Sequence, residues 1–273
     1  MTGSDSDKLY FMSLSSGSDG NSFYIGNGTR GILIDAGVGI NKTLDILSDN
    51  SISLDSIEAL FITHDHADHV RSAISLSERH GIPIYGTRAT IEAINRNTKS
   101  KTKLSTRVNY IEKNTPIEMC GMRIVAFSTP HDACDNVAYC ITNGGRRFVF
   151  ATDLGEVNDA LSEYVRSAEF VVIEANYDSD MLARNQSYPQ DLKNRITSHS
   201  GHLCNSQTAE CLARNYHAGL SHIWLCHMSE DNNTPQKAYN AVASSLSDIG
   251  VEVGRDVELC VLQRCCPSCL YRL

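Results

Sequence analysis

No stretch of this 273-residue chain approaches the roughly 18 apolar residues that a membrane-spanning helix needs. The opening MTGSDSDKLYF also lacks a basic segment followed by a long apolar one. Those absences argue against a helical membrane protein and a secretory leader, and make the cytoplasm the expected address. Internal repeats, low-complexity tracts and linkers are missing too, so we expect a flexible N-terminus over 1–8 and a single domain over 9–273. A disulfide framework is equally absent. Of the 10 cysteines, Cys120, Cys134, Cys140, Cys204, Cys211, Cys226 and Cys260 stand singly, mostly in apolar surroundings, and read as mostly reduced, buried thiols. Cys266-Pro-Ser-Cys269 has CxxC spacing but no second pair elsewhere, so an apolar terminal strand with incidental, oxidation-prone thiols is expected there rather than a zinc site. Excess positive charge is lacking as well: the formal net charge of −8 disfavours nonspecific adhesion to nucleic acid, although it says little about one cleft.

What is present is an ordinary globular composition, 41% hydrophobic and 21% charged. YFMSL and SFYIGNGTRGILIDAG read as strands joined by glycine turns. A helix is expected at about 41–49, and IEALFIT reads as a buried strand. ADHVRSAISLSERHG reads as one helix stopped by Gly81, IPIYG as a strand and TRATIEAINRN as a helix. VAYCITN and RRFVFATD flank an Asn-Gly-Gly turn, which signals a hairpin. NDALSEYVRSA, EFVVIEAN, SQTAECLARNYHAG, SHIWLCHM and TPQKAYNAVASSLSDIG continue as helix, strand, helix, strand and helix. Hairpins mixed with βα units suggest sheets covered by helices.

The buried strand IEALFIT delivers THDHADHV, with His64, His66 and His69 within six positions. One buried histidine is usually a hydrogen-bonded core residue, but three so close each need a polar partner, and a divalent cation supplies one. His64 and His66 are two apart and can face one point from an extended turn. Asp68 and His69 can face a second, so the spacing suits two adjacent cations better than one. Further donors stand at strand ends: His131 after FSTP, Asp153 closing RFVFATD, and His227 closing IWLC. A carboxylate such as Asp153 can bridge two ions and leave room for a hydroxide between them, which is a hydrolytic arrangement. A purely structural ion is disfavoured, since structural zinc takes four closed ligands, often thiolates. Asp35 in ILIDAG reads as a residue that orients a ligand loop. Histidine and carboxylate donors suit zinc, manganese and iron alike.

His64-Asp65-His66-Ala67-Asp68-His69 resembles the HxHxDH signature of the metallo-β-lactamase fold superfamily, and Asp35, His131, Asp153 and His227 match its remaining motifs in order. The resemblance runs from about residue 9 to the C-terminal helix. It implies an α/β fold, an αββα four-layer sandwich of the metallo-β-lactamase type, with two divalent metal ions as cofactors. His64, His66 and His131 would hold one metal, Asp68, His69 and His227 the other, and Asp153 would bridge them. SLSSGSDGN, HDACDNVAY, ATDLG, EANYDSDML, YPQDLKNRITSHSGHLCN and CHMSEDNN together resemble the YycJ/WalJ-like branch. That branch implies a cytoplasmic, metal-dependent exonuclease acting on double-stranded DNA, with links to DNA mismatch repair. The chain departs from the branch at Tyr177, Cys204 and Met228, and none of the three removes a ligand.

Other segments bear on the substrate. In GHLCN, Gly201 permits close backbone approach, Asn205 can cap a helix starting at Ser206, and His202 can protonate a leaving oxygen, bind a phosphate or merely pack against the cap. Lys193 and Arg195 upstream favour an anionic substrate. Residues 93–111 carry Arg96, Lys99, Lys101, Lys103 and Arg107 without an acidic residue, and read either as a solvated helix end and loop or as a phosphate-contacting patch. The interval between Asp153 and His227 is too short for an inserted cap domain, so an open groove suited to DNA ends is expected. The expected catalytic residues are Asp68 and His202. The rival readings are a hydrolase of thioesters, lactones or a small phosphodiester, and a noncatalytic metal-stabilised partner protein.

Overall fold

The computed structural model describes residues 8–273. The expected flexible segment 1–8 therefore lies, apart from Lys8, outside the described residues. Two sheets form the centre. The first contains β1 (Tyr10–Ser15), β2 (Ser22–Gly26), β3 (Gly31–Ile34), β4 (Ile57–Phe61), β5 (Ile84–Gly86) and β6 (Val108–Tyr110), with the terminal strand Tyr271–Arg272 added beside β1. The second contains β7 (Pro116–Met119), β8 (Met122–Ser128), β9 (Val137–Asn143), β10 (Arg146–Ala151), β11 (Phe170–Glu174), β12 (His222–Cys226) and β13 (Glu258–Val261) in that spatial order. Both sheets follow one plan. Pairing is antiparallel up to β3 in the first sheet and β10 in the second, and parallel beyond them.

Aromatic side chains fill the space between the sheets. Phe11 lies 4.8 Å from Trp224 and Phe23 lies 4.7 Å from Phe150, centroid to centroid, all four fully buried. Such tilted and edge-on contacts add to the large apolar area these rings bury. Helices α1 (Ile40–Asp49) and α3 (Arg88–Asn97) cover the outer face of the first sheet through Ile46, Leu47, Ile91 and Ile94. On the outer face of the second sheet lie α4 (Asp159–Val165), α7 (Asn205–Asn215) and α8 (Pro235–Asp248). Ala238, Val242 and Leu246 recur every fourth residue along α8 and form its buried stripe. Thr234 caps that helix by accepting from the Lys237 N–H, and Pro235 occupies the first turn, where its missing N–H costs nothing. The result is the four-layer αββα sandwich, without an inserted cap domain.

Several local expectations change. The helix expected over 67–81 is interrupted: α2 (Ala67–Val70) is one turn, and a π-helical turn, Ser75–Arg79, follows. The interruption has a cause. Ser72 donates its N–H to Ala36 O at 2.8 Å and its hydroxyl to Val38 O at 2.6 Å, and Ala36 N–H bonds His69 O at 2.6 Å, so the segment is tied to the loop after β3. Two short helices were not anticipated, α5 (Ser179–Arg184) and α6 (Gln190–Ile196). Asn205 does not cap α7. Cys204 is the capping residue, Gln207 returns to the Cys204 N–H at 2.9 Å, and Asn205 instead exchanges amide hydrogen bonds with Asn233 at 2.9 and 2.8 Å. The ten cysteines are free thiols; Cys120, Cys140, Cys204, Cys211 and Cys226 are buried, but Cys134 is exposed. Of the terminal segment CVLQRCCPSCLYRL, Cys260 and Val261 close β13 and Tyr271–Arg272 form a short strand, while Cys265, Cys266 and Cys269 are exposed in the loop between them.

Candidate metal centre

The site lies where the carboxyl ends of β3, β4, β10, β11 and β12 meet. Three of its residues leave their strands in the left-handed region: Asp35 at φ 60°, Asp153 at φ 54° and His227 at φ 52°. Aspartate and histidine tolerate that region better than most side chains, but it still carries strain, and such strain collects at functional sites. Asp35 and Asp153 occupy equivalent places. Each follows the strand at which its sheet switches from antiparallel to parallel pairing, the point where an open α/β sheet forms a crevice.

Five histidines share one arrangement: each donates from one ring nitrogen to the protein and turns the other toward a common centre. His69 Nδ1 donates to Asp35 Oδ2 at 2.7 Å, and His131 Nδ1 to Gly201 O at 2.8 Å. His227 Nδ1 donates to Glu174 Oε1 at 3.0 Å and His66 Nε2 to Asp132 O at 3.3 Å. Thr63 Oγ1 donates to Asp35 Oδ2 at 2.8 Å and therefore accepts from His64 Nδ1 at 2.9 Å. These outer partners fix each tautomer and ring orientation, as for metal-ligating histidines.

The inward atoms lie close together. His66 Nδ1 is 3.4 Å from His131 Nε2. Asp153 Oδ2 is 3.1 Å from His69 Nε2, and its Oδ1 is 3.6 Å from His131 Nε2 and 3.4 Å from His227 Nε2. Asp68 Oδ2 is 3.5 Å from His69 Nε2 and 3.4 Å from His227 Nε2. Donor atoms of His64, His66 and His131 lie within 4.8 Å of one another, as do those of Asp68, His69 and His227, and those of His64, His69 and Asp153. These residues fit a divalent cation. His64 Nε2 in particular is buried without a hydrogen-bond partner among the described residues, a costly condition that a metal ion relieves.

Electrostatics agree with that fit. Burial, then the neighbouring His69, holds His64 well below the usual imidazole range, so its inward lone pair is available. Burial also pushes His69 and His227 down, but Asp153 leads the carboxylates that outweigh it, leaving His69 raised and His227 pushed up to about 10. Burial would raise Asp68 and Asp153; contacts with His227 and His69 outweigh it and keep both carboxylates well below their ordinary range. The Asn21 amide, held by Gly17 O at 3.0 Å, lies 2.9 Å from His69 Nε2 and 3.3 Å from Asp68 Oδ2. A cation held by these donors would occupy His69 Nε2 in place of that amide.

The structure thus brings together all the expected donors, His64, His66, Asp68, His69, His131, Asp153 and His227. Asp35 sits behind them, and His202 lies beside them with its ring centroid 5.0 Å from His131 and 5.3 Å from His227. Sequence reading missed Glu174, a fully buried carboxylate closing the apolar strand FVVIE. Its Oε1 accepts from both His202 and His227, while its Oε2 accepts from the Leu154 and Leu203 N–H groups at 2.9 and 3.0 Å. A charge at the end of an otherwise apolar strand was the available signal. Asp132 was also missed: its carboxylate is 3.4 Å from His131 Nε2 and pairs with Arg195 at the rim. Tyr177 plays no part in the centre; it packs with Leu182 and Cys204 in a separate small cluster.

The sequence model described as "Beta-lactamase superfamily domain" matches residues 30–228. The chain belongs to that family. Among curated relatives of this β-lactamase superfamily member, the protein named Exodeoxyribonuclease YycJ from Bacillus anthracis is 30% identical over 254 residues, covering 92% of this chain and 94% of the relative. Exodeoxyribonuclease WalJ from Streptococcus pneumoniae is 32% identical over 247 residues, covering 90% and 91%. Among solved structures, the metallo-β-lactamase fold protein YhfI from Bacillus subtilis superposes with TM-score 0.72 at 17% identity, over 98% of this chain and 100% of that one. Zn(2+)-bound PqqB from Methylobacterium extorquens gives TM-score 0.69 at 16% identity, covering 95% and 99%. The fold is therefore metallo-β-lactamase, within the YycJ/WalJ-like branch, and the chain is a metal-dependent hydrolase. Among the described residues no helix is long and apolar enough to cross a membrane.

Proposed function

We propose that the chain is a dinuclear-metal phosphodiesterase that works as an exonuclease on double-stranded DNA, with a place in DNA repair. The observation that carries the metal chemistry is the set of five histidines aimed inward around Asp153. The exodeoxyribonuclease names of the YycJ and WalJ relatives, which align over nearly all of this chain, carry the choice of bond. In this reading His64, His66 and His131 would hold one divalent cation and Asp68, His69 and His227 the other, with Asp153 available to both; zinc, manganese and iron suit these donors alike. Two such ions would supply Lewis acidity, activating water near neutral pH and offsetting negative charge on the phosphate.

The remaining roles belong to the chain itself. Asp35 and Thr63 keep the His69 and His64 rings turned inward. His202, with 21% of its side chain exposed, is the proton donor to the leaving oxygen, its ring oriented from behind by Glu174 at 2.8 Å. Arg195 at the rim, paired with Asp132 in the resting state, offers a fork-shaped donor to a phosphate. Localisation in the cytoplasm accompanies this reading. The test is digestion of end-labelled duplex DNA by purified protein with manganese or zinc. We expect His66→Ala and Asp68→Ala to abolish it; full activity in either variant contradicts the assignment.

A further inference from the structure

A cleft of about 390 Å³ opens beside the metal centre, between the start of α2 with its following turn and the C-terminal end of α3. Its walls include Val70, Ile74 and Ile94, with Arg71 and Asn97 at the edges and His66 at one end. His66 also belongs to the His64, His66 and His131 donor group. A molecule bound in the cleft is therefore next to whatever is being cut. The floor is braced: Asp65 Oδ1 accepts from the Cys134 N–H at 3.0 Å, and its other oxygen lies 3.5 Å from the Asn97 amide.

We propose that this cleft receives the terminal nucleobase of the strand being cut, an inference that rests on the exonuclease reading. Three observations select that occupant. First, the half-buried Val70 and Ile74 line the cleft from the α2 side, with the buried Ile94 contributing from α3, an apolar surface of the kind against which enzymes that act on nucleotides hold extruded bases. Second, Asn97 and Thr98 at the rim offer an amide and a hydroxyl, which can meet the donor and acceptor edges of a base. Third, the chain leaving Thr98 carries the exposed Lys99 and Lys101, and Arg71 lines the cleft, so positive charge lies where a phosphodiester backbone would continue. An uncharged apolar ligand would not need those cations. A base in this slot with its phosphate at the metal centre measures off one nucleotide, and requires the terminal pair to open before cleavage.

The experiment compares duplexes ending in an ordinary nucleotide with duplexes whose terminal nucleotide is abasic, at the 5′ or the 3′ end in turn. With the metal-loaded wild type, removing the base at the end being digested should lower kcat/KM about tenfold. In Ile74→Trp, whose indole fills the slot, the ordinary end should drop similarly and base removal should have no further effect. Bis-p-nitrophenyl phosphate, which has no base, serves as each protein's reference substrate, and Arg71→Ala provides a second variant should Ile74→Trp fold poorly. Equal wild-type kcat/KM on ordinary and abasic ends overturns the cleft assignment and leaves the nuclease reading standing. Turnover of the small phosphodiester with no digestion of either duplex overturns the nuclease reading, and the cleft assignment with it.

Discussion

A single oxygen of Glu174, Oε1, accepts hydrogen bonds from His202 at 2.8 Å and from His227 at 3.0 Å. The same carboxylate is buried and anchored by two backbone N–H groups, so it cannot turn away from either ring. It links the proposed proton donor to a proposed metal ligand. Replacing it by glutamine keeps the shape but removes the charge, and sets an amide NH2 against donors on one side or the other. Glu174→Gln should weaken metal binding by about 10- to 100-fold, the range for outer partners of ligating histidines. Competition against a chelator measures this; unaltered affinity with lost activity would confine Glu174 to His202 alone.

His202 should separate from the ligands in its effects. If it donates a proton to the leaving group, His202→Ala should keep its metal content while kcat falls by roughly 10² to 10⁴. A substrate with a good leaving group, such as bis-p-nitrophenyl phosphate, should suffer far less. Metal loss in this variant would instead make His202 a ligand.

Backbone clearance makes a sharper prediction at Gly37. A Cβ there would lie 1.6 Å from Asp68 O, closer than any non-bonded atoms can approach, and Asp68 O already accepts from the Asn21 N–H at 2.7 Å. Gly37→Ala must therefore push the loop bearing Asp68 and His69 out of place and should strip the centre of metal. Gly39, two residues on, has nothing within 4 Å of such a Cβ. Gly39→Ala should keep its metal and lose at most about 1 kcal/mol as a poorer helix cap. Metal analysis of the two proteins side by side checks both.

Stability should respond to pH in opposite ways with and without metal. In the metal-free protein burial lowers the His69 and His227 values, but the Asp153-led carboxylates outweigh it, with His227 at about 10 against an ordinary 6.5. Their contribution is complete below 6.5 and is lost as pH rises through the folded-state value. Asp68 and Asp153 are lowered by the same contacts. Their share is present above the ordinary 3.8 and disappears only on acidification. The metal-free Tm should thus fall between pH 6.5 and pH 10, while the rise on adding metal grows, because cations displace those same protons. A metal-induced Tm increase that shrinks over this interval would contradict the assignment.

The cluster of candidate donors was legible because its members stand at the ends of apolar runs, where a polar residue has no packing reason to be. THDHADHV follows IEALFIT, and Asp153 and His227 close RFVFATD and IWLC in the same manner. Glu174 gave the same signal more faintly, since one acid after FVVI also reads as a strand simply ending. The break in the helix over 67–81 could not be seen, because it depends on Ser72 bonding a loop more than thirty residues earlier. Helices α5 and α6 are too short to show a periodic face. The shared plan of the two sheets was hidden for a related reason: it resides in strand pairing, while the paired strands differ in sequence.

That shared plan gives the metal a second consequence. In the proposed assignment each cation would take two donors from the half containing the first sheet, His64 and His66 or Asp68 and His69, and two from the half containing the second, His131 or His227 together with Asp153. The ions then work as clasps, and neither half can open without giving up both. By mass action, free cation at a hundred times its dissociation constant adds about 2.7 kcal/mol to a one-site folding equilibrium, and here that increment couples two lobes. Metal supply would thus add to the cooperativity that the aromatic core shared by the two sheets already gives the lobes.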